Sequence, residues 1–140
     1  MPSPSICVAG LFEDAVSTSP SGDHVTTIVL RLSAVPDQEW VEAFHHEWAL
    51  TSYPRKRNAR FGSVQVPEGP PRTGIVFSSS PQDYVAIHRR HVEGAVERAN
   101  DRVRQRDRQR DRTIAQAAEA IREINRSHYG DADSGLRLAV

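Results

Sequence analysis

A single cysteine, Cys7, rules out an internal disulfide framework in this chain of 140 residues. Lysine is as scarce: of 18 basic side chains, Lys56 alone is not arginine. That bias follows from a GC-rich coding sequence as readily as from selection for bidentate phosphate contacts, so it is no binding signal by itself. No apolar run approaches the roughly 18 residues that span a bilayer. The N-terminus lacks the basic-then-apolar pattern of a secretory signal. No Gly-x-Ser-x-Gly elbow, phosphate-cradling glycine loop or paired-carboxylate motif occurs. The expectation is a cytoplasmic, non-enzymatic protein, with no catalytic residue, no cofactor and no membrane partner.

Apolar residues make up 38% of the chain, below the share usual for a globular protein. The deficit is local: residues 6–80 hold most of the Val, Ile, Leu, Phe and Trp, and the remainder is rich in Arg, Asp, Glu and Ala. This divides the chain into a mobile tail at 1–5, a packed domain at 6–99, a charged helical extension at 100–128 and a flexible tail at 129–140.

Within the domain, Ile6–Phe12 is apolar throughout and too short for a helix, so it reads as a buried strand with an inert buried thiol at Cys7. The polar stretch 13–23 reads as a loop. Residues 24–32 are β-branched or apolar on both faces, as in a central strand. Pro36 suits a first helical turn, with Asp37 and Glu39 at the positive end of the dipole. Trp40, Phe44 and Trp48 recur every four residues and give the helix, which runs to about Leu50, an aromatic core face. Phe61–Val66 and Thr73–Ser78 form a hairpin around Gly69 and its flanking prolines. Ser80, Pro81 and Asp83 then supply the cap, first residue and acid of a helix start.

The order β-β-α-β-β-α points to an α+β two-layer sandwich: a four-stranded, mostly antiparallel sheet in the order 1-2-4-3, permuted ferredoxin-like, with both helices on one face. The last helix is expected to run from Pro81 to His128, since it contains one glycine and no further proline. Forty-eight residues would extend roughly 70 Å, against about 25 Å for a compact domain of eighty residues. Val85, His88, Val92, Val96, Ala99 and Val103 line its first apolar stripe. Ile114, Ala117, Ala118, Ile121 and Ile124 continue it beyond the reach of that core, and so call for a partner.

Between the two stripes lie seven arginines and three aspartates over 98–112, a surplus of four positive charges. Their plainer reading is a solvated helix tied by ion pairs at a spacing of three, such as Asp101–Arg104, Arg104–Asp107, Asp107–Arg110 and Arg108–Asp111. Two functional readings follow. In the first, the chain is an interaction module, a homodimer or a subunit of a larger complex, joined through Val103, Arg106, Arg110, Ile114, Ala118, Ile121 and Ile124. In the second, RNA or DNA lies on Arg98, Arg102, Arg104, Arg108 and Arg112 together with a basic loop at Arg55, Lys56, Arg57 and Arg60. The aspartates and the lack of aromatics along the run weigh against the second. His45, Glu47, His88 and His91 have metal-like spacings, but His88 sits in the apolar stripe, so no metal is expected. Ser78, Ser79 and Ser80 could pass for nucleophiles, but Ser80 is accounted for as a helix cap.

Overall fold

The computed structural model describes residues 5–18 and 26–130. Residues 1–4 and 131–140 of the expected tails at 1–5 and 129–140, 19–23 of the expected loop at 13–23 and 24–25 of the expected strand at 24–32 lie outside the described residues. Residues 26–32 form β3 (Thr26–Leu32) at the middle of one antiparallel sheet of five strands. The others are β1 (Val8–Leu11), β2 (Ser17–Thr18), β4 (Ala59–Val64) and β5 (Arg72–Ser78). They lie in the order β1-β3-β5-β4, with β2 also on β3. Pairing of Ile28 with Phe77 and of Leu30 with Ile75 sets these four on one face, and Val29 with Val76 on the other. Both faces of β3 are therefore buried, as its unbroken apolar run requires. Gly74 of β5 lies so close to β3 that a Cβ there would collide with the Leu30 carbonyl.

Helix α1 (Gln38–Leu50) starts two residues later than Pro36 as a first helical residue would suggest, because Asp37 is the cap. Its Oδ1 accepts the Trp40 amide at 2.9 Å. Trp40 and Phe44 stack at 5.6 Å, and both lie with Trp48 on the Ile28/Leu30/Ile75/Phe77 face of the sheet. Val92, Val96, Ala99 and Val103 of the last helix complete the same core.

Three expectations are corrected. Of Ile6–Phe12, only Val8–Leu11 is strand, and its burial alternates, with Ala9 and Leu11 exposed at the sheet edge; Cys7 is exposed as well. The stretch after it is more than a loop. Ala15 is buried against Val29 and Val76, with Phe12, Val64 and Val66 beside it, and β2 adds the fifth strand. Arg72 holds this segment through Asp14 at 2.7 Å and lies over the Phe12 ring.

The last helix is not uniform. Ser80 caps α2 (Pro81–Asp83), accepting the Asp83 amide at 3.2 Å, and a π-helical turn (Tyr84–His88) leads into α3 (Arg89–His128). A π turn accommodates an extra residue, which shifts the side-chain phase. Tyr84 rather than Val85 is consequently buried, and Val85 is 62% exposed. The chain divides into two compact units, residues 1–103 and 104–140. Among the described residues, no helix is long and apolar enough to cross a membrane.

Candidate functional site

The described part of the second unit is the stretch from Arg104 onward, helical to His128. Ile114, Ile121 and Ile124 are 65%, 57% and 47% exposed, and Ala118 is half-buried. The charged side chains around them pair with one another. Arg122 meets Glu119 at 2.7 Å, Arg126 meets Glu123 at 2.9 Å, and Arg110 meets Asp107 at 3.5 Å. Val103, expected at the interface, is buried in the first unit's core instead. Arg106, Arg108 and Arg112 are exposed.

The other expected phosphate contacts are partly spent. Arg98 and Arg102 clamp the carboxylate of Glu47 at 3.3 and 3.0 Å, and Arg98 also donates to Thr51. Glu47 is a buried carboxylate on α1, so these two arginines satisfy a charge that the core would otherwise strand. Helix α3 thus brings Arg98 and Arg102 to α1.

The basic loop is built more tightly than its composition suggests. Lys56 turns back to donate to the Trp48 carbonyl at 2.7 Å and covers the Trp48 ring. Arg57 donates through Nε to the Ser78 carbonyl at 3.2 Å. Arg55 adopts a left-handed backbone, φ 67°, and lies 3.9 Å from Asp83. Arg60 is exposed on β4. Arg55, Lys56 and Arg57 line a cleft of about 370 Å³ with Ser79, Ser80, Asp83 and His88.

The histidines do not converge on a metal, and no group of three candidate ligands occurs among the described residues. His45 accepts the Phe61 amide through Nε2 at 3.0 Å. Tyr53 occupies the space between the other pair. Its hydroxyl bonds His88 Nδ1 at 2.8 Å, and its ring stacks on His91 at 3.8 Å. Burial pushes the His88 pKa down, Asp83 opposes that shift, and Arg55, Arg57 and His91 reinforce it. Burial likewise lowers His91, with Arg90 and Arg98 adding to the effect. Of the serines, Ser80 is the helix cap and Ser79 donates to the Ser80 carbonyl at 2.9 Å.

Sequence reasoning missed three residues. Tyr53 sat unremarked in a basic loop, where only its aromatic character distinguishes it. Tyr84 was hidden by the π turn; its buried hydroxyl has no partner among the described residues, and its pKa is pushed up to about 12 by burial. Asn100 heads the charged run, yet it is buried between α1 and the strand-one flank. Its place four residues after Val96, beside Ala99, was the available signal.

No protein-family model matches this chain, and no curated protein or solved structure is significantly similar to it.

Proposed function

We propose that the chain is a non-enzymatic interaction module that self-associates through the second unit, by an antiparallel helix pair. The observation that carries this reading is the exposure of Ile114, Ile121 and Ile124 on a helix whose neighbouring charges are internally paired. Ile114, Ala117, Ile121 and Ile124 are spaced three, four and three, the a/d repeat of a coiled coil. The flanking positions are Ala118, Ala120, Asn125 and Ser127, small or uncharged, so a second copy meets no like-charge barrier. Glu119, Arg122, Glu123 and Arg126 fall on the remaining, outward positions.

Orientation follows from the continuation of the repeat. A parallel pair would set Asp107 against Asp107 and Arg110 against Arg110 at core positions. The antiparallel register sets Ile114 of one copy on Ile124 of the other, and Ala117 on Ile121, giving four apolar layers. Three isoleucines per chain make a modest seam, so dimerisation is expected at micromolar concentrations rather than below. Ile121→Asp places two carboxylates in adjacent layers, and light scattering on this variant should report a monomer with unchanged helix content. An Ile121→Asp chain that stays dimeric counts against the seam.

The second reading is nucleic-acid binding, favoured by the exposure of Arg106, Arg108 and Arg112 on one helix. Arg104→Glu with Arg108→Glu should abolish binding of RNA or DNA at low salt, while leaving the Ile seam and self-association intact. The strand order, with both helices on one face, also supports a permuted ferredoxin-like sandwich augmented by the short β2.

A further inference from the structure

We propose that the cleft between the Arg55–Arg57 loop and the Ser79–His88 turn binds the phosphate group of a small phosphorylated ligand. Three cations line it against one carboxylate, Asp83. Their geometry separates their roles. Lys56 is folded onto Trp48 and contributes field rather than contact. Arg57 is anchored through Nε, which fixes its guanidinium while leaving the terminal nitrogens without a partner among the described residues. Arg55 and Asp83 lie 3.9 Å apart with both side chains more than half exposed, a loose pair that a dianion can displace.

His88 supplies the observation that points to a ligand. It is 3% exposed yet lines the cleft. The Tyr53 hydroxyl bonds its Nδ1 at 2.8 Å. Nδ1 is thereby engaged, and Nε2 has no hydrogen-bond partner among the described residues. In its Nε2–H form the ring offers an open donor to a cleft that two guanidinium groups also line, a set matched by an anionic oxygen. The Ser80 hydroxyl accepts from the Asp83 amide and keeps its own proton to give. A guanidinium fork, an imidazole N–H and a hydroxyl approaching one space suit an anion with three free oxygens better than a planar carboxylate.

The size of the cleft selects the class of ligand. About 370 Å³ holds a phosphate with a small organic group, at the lower end of small-molecule sites. A nucleic-acid strand would need the basic surface to continue. Along α3 the nearest arginines toward α1, Arg98 and Arg102, are taken by Glu47.

The test is titration of the full chain with inorganic phosphate at constant ionic strength, followed by NMR of the His88 ring and the Arg57 and Ser80–Asp83 amides. Saturable shifts at millimolar phosphate, absent with chloride, are expected. Arg57→Gln, an exposed substitution that spares the core, should weaken binding at least tenfold, and Arg112→Gln should leave it unchanged. Glycerol phosphate should bind at least as tightly as phosphate itself. Linear, non-saturating shifts, or equal shifts in Arg57→Gln, overturn the proposal. So does a short oligonucleotide that binds this cleft more than tenfold tighter than glycerol phosphate, since the ligand would then be a polymer.

Discussion

Asn100 shows how one amide can fix a fold. Its Oδ1 accepts the Ile6 amide at 3.1 Å and the Trp40 indole N–H at 2.8 Å, and its Nδ2 donates to the Ile6 carbonyl at 2.8 Å. Three buried polar groups from two distant segments are thus satisfied by a single side chain. Asn100→Ala leaves all three unpaired, and a loss of about 3 kcal/mol is expected in urea unfolding; a loss below about 1 kcal/mol contradicts the staple. His88 and His91 give a second prediction at this scale. Both folded pKa values are depressed, so as pH falls past the ordinary histidine value the unfolded chain takes up protons that the folded chain does not. Stability should therefore drop between about pH 7 and pH 5, with Asp83, Arg55, Arg57, Arg90 and Arg98 setting the balance around the two rings. His88→Gln should show a shallower fall, measured by thermal melts across that range. None of these residues was readable as a partner of another, because periodicity reports which face a residue occupies and not what it meets there.

Elements were more legible than contacts. The aromatic stripe of α1, the Ser80 cap, the hairpin and the double-sided burial of β3 are all local patterns, and the chain follows them. Failures occurred where a tertiary contact overrode local pattern. Ala15 and the two-residue β2 carry no strand signature of their own; β3 and Arg72 recruit them. Tyr84 takes the place expected of Val85 because the π turn changes phase, and nothing in the local composition announces that turn. The close approach of β3 and β5 at Gly74 is equally invisible to patterning. Gly74→Ala forces the strands apart at the sheet centre, and a loss of roughly 3 kcal/mol or more is expected. A Gly74→Ala protein with unchanged melting would show that β5 can shift without cost.

At the scale of the whole molecule, the composition separates an apolar half from a charged half, and the arginines of the basic run differ in their partners. Arg98 and Arg102 serve a buried carboxylate, whereas Arg106, Arg108 and Arg112 face solvent. The candidate seam at 114–124 was legible because it repeats; the cleft around His88 was not, since its residues come from a loop, a cap and a π turn. Self-association is the claim on which the functional account rests, and sedimentation equilibrium tests it most directly. At tens of micromolar the chain should sediment with twice the 15.6 kDa mass of one copy, and dissociate on dilution. A single species of one-chain mass over the same range, with the helix intact by circular dichroism, would contradict it.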